Sequence, residues 1–258
     1  MSKQAPVARV LVLTEDGSAT AVGTVQSLLR HLLVQVARTA DLDRVDLAPI
    51  PESRARKVLP GNVWKSAKKT AGPGVVDLAQ RIATRLVLDD GFVVQHLDGD
   101  RVWGERGTSE NVLAFQNVIS RRVRANLRHS EKLDATEIDA HMRRLLVLVP
   151  FWCIEAWLFQ NTLDARTHCS HTGHQCSQRL DAWAADRTLL DEVPTPKDLL
   201  CFGTRHNLAL AGPLFPSDEL LAAGKSYAAA VQTLCDCEAP TMALKRSTVI
   251  EPLPAGGR

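Results

Sequence analysis

Val10-Leu11-Val12-Leu13-Thr14-Glu15-Asp16-Gly17 is an apolar run that stops on acidic residues and a glycine. Ala8 to Thr14 is short, β-branched and continuous, which predicts a buried strand. The pattern returns further along. Phe92-Val93-Val94-Gln95-His96-Leu97 runs into Asp98-Gly99-Asp100, and Leu145-Leu146-Val147-Leu148-Val149 is followed a few residues later by Glu155. Asp43 to Ile50 supplies a further candidate strand. Between these runs the apolar period changes to that of a helix. Ser18 to Ala40 sets Val22, Val25, Leu28, Leu29, Leu32, Leu33 and Val36 on one stripe. Val75 to Leu88 does the same with Val76, Ala79, Ile82, Ala83 and Leu86. Ser109 with Glu110 opens a long helix to about Arg128, and another follows over Ala135 to Arg143. Strands alternating with helices predict an α/β fold: a parallel sheet with helices on both faces.

Pro51 to Gly74 has no clear periodicity and ends in a Gly-Pro-Gly turn. Beyond Glu155 the strand signal fades. The reading is a metal-binding α/β domain over residues 1–160 and a mainly helical C-terminal extension over 161–258. The extension contains a helix from Ser217 to Cys235 and a loose Pro- and Gly-rich tail from Glu238 to Arg258.

A chain of 258 residues is long enough for a sizeable core. The net charge of +2 is too near neutral to point to any partner. No apolar run approaches the roughly 20 residues that span a bilayer, so no membrane partner is expected. Met1 to Pro6 leads into the first strand without a signal-peptide core, and the six cysteines read as reduced thiols. Both observations predict a soluble, cytoplasmic protein.

The acids carry the chemistry. In an open parallel sheet, ligands bind along the edge formed by the carboxyl ends of the strands. Carboxylates gathered there repel. At about 5 Å and an effective dielectric near 20, each pair costs roughly 3 kcal/mol. A hard divalent cation removes that cost, which proposes a Mg2+ or Mn2+ site. If the strand continues past Leu97, Asp98 and Asp100 point the same way, and Gly99 lets a ligand come close to the backbone. The plainer reading makes Asp98-Gly99-Asp100 a surface turn and Glu15 to Ser18 a helix start. The order of the motifs, each after a strand, favours the metal.

An apolar strand ending in Glu-x-Gly, then a later strand ending in Asp-x-Asp, resembles the TOPRIM domain of topoisomerases, bacterial primases, overcoming-lysogenization-defect nucleases and ribosomal-RNA maturases. Pro150-Phe151-Trp152-Cys153-Ile154-Glu155-Ala156-Trp157-Leu158 is similar to a stretch in small stand-alone TOPRIM-like proteins found near bacterial ATPases and defence genes. The resemblance covers roughly residues 8 to 160. One departure is Asp16 between Glu15 and Gly17; Glu15 is taken as the acidic ligand. The resemblance implies a TOPRIM-like fold in which Asp98 and Asp100 hold the metal. Glu15 is a further ligand or the proton-transfer group, and Glu155 supports a second metal. Without the resemblance, Glu155 reads equally as a helix-start carboxylate. The implied activity is a metal-dependent nuclease acting on DNA or RNA, alone, as a homo-oligomer, or as the effector of a partner ATPase in bacterial defence. Tyr227, the only tyrosine, lies in the late helical part, which disfavours a topoisomerase-like covalent link.

Two basic stretches suit a polyanion. One is Arg54, Arg56, Lys57, Lys65, Lys68 and Lys69 with Trp64 among them, which combines phosphate contacts with a stacking surface. The other is Arg121, Arg122, Arg124 and Arg128 on the long helix, whose plainer reading is a solvated face. Thr167 to Cys176 holds three histidines and two cysteines, a set that suits a structural Zn2+ but matches no standard spacing. Cys235 and Cys237 are candidate further ligands. No Walker phosphate loop is present, because Gly224-Lys225-Ser226 lacks the earlier glycine. An ATPase would be another chain. The alternative to a nuclease is a non-catalytic binding or regulatory subunit on the same scaffold.

Overall fold

The computed structural model describes residues 6–51, 53–59, 72–89, 91–169, 175–238, 241 and 244. Its centre is a sheet of four parallel strands, β1 (Ala8–Leu13), β2 (Val45–Pro49), β3 (Gly91–His96) and β4 (Leu145–Leu148), in the order β2-β1-β3-β4. Alternation along the strands sends side chains to two separate cores. Val10 and Val12 of β1, with Phe92 and Val94 of β3, face one; Leu11, Leu13 and Val93 face the other. Helices cover both faces, as the pattern of strands and helices predicts.

The helix α1 (Ala19–Val36) starts where the Ser18 hydroxyl accepts the Ala21 N–H. Val25, Leu28, Leu29, Leu32 and Leu33 bury its inner stripe in the first core. The opposite core is closed by α2 (Pro73–Leu86), by the long helix α3 and by α4 (Ala135–Met142). In α3 a π turn, Gln116–Ser120, joins the helical stretches Glu110–Phe115 and Arg121–His129. Pro73 sits in the first turn of α2, where its missing N–H costs nothing. The buried stripe of α2 is Val75, Leu78, Ala79, Ile82, Ala83 and Leu86, not the one that includes Val76. Val76 is 43% exposed, because the three-four spacing runs from its neighbour. Gly91 opens β3 where a Cβ would stand 2.2 Å from the Arg85 carbonyl oxygen, so no other residue fits without moving the backbone.

The C-terminal part is helical: α5 (Glu155–Leu158), α6 (Thr162–His168), α7 (Gln175–Ala185), α8 (Asn207–Leu210), α9 (Ser217–Ala223) and α10 (Lys225–Cys235). Leu158, Ala165, Leu180, Leu210, Leu220 and Leu234 bury in the same core as α1. The single helix expected from Ser217 to Cys235 is broken at Gly224, whose φ of 87° lies in the left-handed region that glycine tolerates. The tail is helical at Thr241 and Leu244, and Leu244 is buried in the α1 core, contrary to a loose tail from Glu238 on. Residues 245–258 lie outside the described residues. No helix among the described residues is long and apolar enough to cross a membrane.

Ser226 ties this layer together. Its hydroxyl accepts the Trp157 indole N–H at 2.6 Å and donates to Asp191, whose other oxygen accepts the Ser226 backbone N–H at 3.0 Å. All three side chains are buried, and burial raises the Asp191 pKa above the usual carboxylate range. Ser226→Ala should therefore strand an indole N–H and a carboxylate oxygen, at about 1–3 kcal/mol per orphaned group. Urea unfolding is expected to show a loss of about 2–4 kcal/mol at an unchanged slope.

Candidate functional site

Neighbouring strands β1 and β3 send their chains to opposite faces of the sheet. After β1 the chain crosses by α1 to β2, and after β3 it crosses by α3 and α4 to β4. Such a reversal opens a crevice at the carboxyl ends of the two strands. A cavity of about 510 Å³ lies there, lined by Thr14 and Glu15 after β1, His96 and Asp98 at the end of β3, and Cys153 and Glu155 after β4.

The backbone holds the acids together. The Asp98 N–H donates to Glu15 Oε2 at 3.1 Å, and the Ile154 N–H donates to Asp98 Oδ1 at 3.1 Å. The Asn207 side-chain amide donates to Glu155 Oε1 at 2.8 Å. Glu155 is buried, while the Asp98 side chain is 30% exposed to the cavity. Burial first, then the charges of Glu15 and Glu155, hold the Asp98 pKa well above the usual carboxylate range. His96 Nε2 lies 3.5 Å from Asp98 Oδ1 and is buried with no hydrogen-bond partner. Burial pushes the His96 pKa down to about 4, so the ring is neutral at physiological pH. Burial and the adjacent Glu155 charge raise the Cys153 thiol, which stays protonated and is no nucleophile.

Asp16 also lines the cavity, whereas Asp100 does not, although its charge adds to the rise of the Asp98 pKa. The Asp16 carboxylate accepts the Ser18 N–H at 2.8 Å and the Ser18 hydroxyl at 3.1 Å, ordering the start of α1. β3 ends at His96, so the alternation of a strand does not extend to Asp98 and Asp100 and does not aim them to one side. Asp100 adopts a φ of 49°, its carboxylate accepts the Asn111 amide at 2.8 Å, and it does not line the cavity. Close approach to Gly99 is made by the Phe151 ring rather than a ligand; a Cβ there would meet that ring at 2.7 Å.

Basic groups reach the cavity from the C-terminal layer. Lys197 and Arg205, both exposed, line it together with Asn207. Of the first basic stretch, Arg54 and Lys57 are exposed, and Arg56 donates through Nη2 to the Gly17 carbonyl beside the acidic loop. Trp64, Lys65, Lys68 and Lys69 lie outside the described residues. Arg121, Arg124 and Arg128 stand on the solvent side of α3, and Arg124 pairs with Asp139. At about 1.5 Å per residue, Arg121 is roughly 15 Å along that helix from Asn111.

Among the described residues, Cys169, Cys176 and Cys201 form a group that could hold a metal ion, with sulfurs within 4.8 Å of one another. Cys201 takes the place expected for Cys235 and Cys237; Cys237 instead donates its thiol to the Arg143 carbonyl at 2.9 Å. His171 and His174 of the histidine-rich window lie outside the described residues.

His96, Asn207, Lys197 and Arg205 were not found by reading the sequence. His96 had a usable signal, since it is the one ionisable residue of β3 and stands two positions before Asp98. Asn207, Lys197 and Arg205 had none, because only long-range packing brings them to the cavity. Comparisons with protein-family models, curated proteins and solved structures found no match.

The raised Asp98 pKa fixes a pH dependence. An unfolded aspartate ionises near pH 3.9. A folded pKa above that value favours folding while Asp98 is protonated, and this contribution is lost as pH rises through the folded pKa. Asp98→Asn keeps an acceptor for Ile154 and removes the charge. Without divalent cations the variant should melt higher than the parent at pH 8, with the gap closing as pH approaches 4. Differential scanning fluorimetry across this range checks both ends of the trend.

Proposed function

We propose that the protein is a divalent-metal-dependent nuclease. The observation that carries this reading is the convergence of Glu15, Asp98 and Glu155 on one cavity, with Asp98 destabilised as an anion by burial and then by the charges of its neighbours. The donor types suit a hard cation: Glu15, Asp98 and Glu155 offer carboxylate oxygens, which would have to draw closer than they stand to share one ion, and the buried His96 Nε2 beside Asp98 has no partner. Glu15, Asp98 and Glu155 would hold Mg2+ or Mn2+. When bound, the cation orients a phosphate, offsets its developing charge and lowers the pKa of a coordinated water.

The chain's own groups supply the rest. Lys197 and Arg205 bring positive charge to a cavity whose other charged lining residues are acids, where phosphate oxygens would bind. Neutral His96 adds no charge beside Asp98 and leaves the acids to set the local potential. Asn207 keeps Glu155 facing inward through its amide bond to Oε1. Arg54 and Lys57, exposed near the Arg56–Gly17 contact, would extend the phosphate-binding surface away from the cavity. The substrate is DNA or RNA, and any ATPase partner is a separate chain.

Cleavage of labelled DNA and RNA with Mg2+ or Mn2+ tests this. Asp98→Asn and Glu155→Gln are each expected to lower cleavage by more than the roughly 10–100-fold that loss of an outer-sphere partner costs. Nucleic-acid affinity should stay within a few-fold. Asp100→Asn should retain cleavage, since Asp100 lies outside the cavity. Full cleavage by both Asp98→Asn and Glu155→Gln would overturn the reading and leave a binding subunit.

Charge reversal at Arg54 and Lys57 should weaken nucleic-acid binding and flatten its salt dependence. Each lost phosphate contact takes about 0.7–0.9 from the log–log slope. Fluorescence anisotropy over a salt series reads this directly, and an unchanged slope would confine these residues to a solvated surface.

A further inference from the structure

Three cysteines far apart in sequence meet at the edge of the helical layer. Cys169 follows α6, Cys176 stands in the first turn of α7, and Cys201 lies in the turn between buried Leu200 and Phe202. Their sulfurs lie within 4.8 Å of one another, and Cys169 and Cys201 approach to 3.1 Å. Sulfurs in a disulfide are about 2.05 Å apart, so this pair is not bonded. Neutral thiols gain little from such crowding, and as thiolates they would repel. A borderline-soft cation reverses the sign of that interaction. Sulfurs held at about 2.3 Å in a tetrahedron sit about 3.8 Å apart, a spacing compatible with this cluster.

We propose that Cys169, Cys176 and Cys201 bind a structural Zn2+. Each thiol releases its proton to solvent as the metal binds, with no change in oxidation state. Cys201 is exposed, so the open side of the cluster faces solvent, where water can complete the tetrahedron. The ion would join the ends of α6 and α7 to the segment that continues through Arg205 and Asn207 into the cavity wall. Arg179 of α7 already reaches the Leu199 carbonyl from the same side. The metal would thus fix the strap that carries a cavity cation and the amide that orients Glu155. This inference stands on the sulfurs alone and is independent of what the cavity binds.

The full chain, purified under reducing conditions without chelator, should carry stoichiometric zinc by plasma mass spectrometry. Titration of the stripped protein with cobalt should produce a thiolate-to-cobalt charge-transfer band. Cys201→Ser should lose the zinc, and Cys235→Ser should keep it. In buffer free of Mg2+ and Mn2+, chelation should lower the melting temperature of the parent and leave that of Cys201→Ser unmoved. If Cys201→Ser does not fold, alkylation of the parent decides: zinc should protect Cys169, Cys176 and Cys201 together while exposed Cys235 reacts. The proposal is overturned by a parent with neither zinc nor a cobalt band. Full zinc in Cys201→Ser, a Cys169–Cys201 disulfide in the isolated protein, or alkylation unaffected by zinc would each overturn it too.

Discussion

Parallel strands cannot be joined by a tight turn; each connection must cross a face of the sheet. With β1 and β3 adjacent and their crossovers on opposite faces, the chain leaves a gap at their carboxyl ends. The candidate site depends on that gap. Glu15 and Asp98 stand on its two sides because each follows its strand by a couple of residues, and the bond from the Asp98 N–H to Glu15 joins them across it. Glu155 arrives from the next strand over, and the Ile154 N–H fixes its segment to Asp98. The hydrogen bonds that position the acids are mainly backbone bonds, so the charges are crowded by the fold itself.

The two faces of the sheet do different work. One carries α2, α3 and α4 around an apolar core, and its Arg121, Arg124 and Arg128 are exposed. The other carries α1 and all of the C-terminal helices in one continuous core. That layer reaches over the crevice and contributes Lys197, Arg205 and Asn207. Ser27 and His31 of α1 bond the carbonyls of Ala211 and Gly212, which anchors the end of α8 close behind Asn207. Opposite charge is thus supplied to the acids from a different part of the chain, on a support fixed to the same helix that follows the first strand.

The strands and their acidic ends were legible because both signals are local. A run of β-branched residues and the carboxylates that end it need no knowledge of the rest of the chain. The same locality explains the errors. Val76 and Val75 differ by one position in a helix, and only the direction of the sheet decides which is buried. Asp98 and Asp100 share a face only while the strand lasts, and β3 ends before either. Gly224 falls inside an otherwise helical run, where its positive φ is a matter of how α9 meets α10. Cys201, Asn207 and Arg205 could not be read at all. Each acquires its neighbours from segments more than 20 residues away in sequence, through packing that no short pattern encodes.

The core shared by α1 and the C-terminal helices has a consequence for how such a chain can be divided. Phe159, Leu180, Leu210 and Leu234 complete the burial of Leu29, Leu32 and Leu33. A fragment ending near residue 160 would leave that side of α1 open to water. The apolar surface so exposed would invite association in place of independent folding. The stretch that carries the acids therefore relies on the helices that follow it to bury the inner stripe of α1.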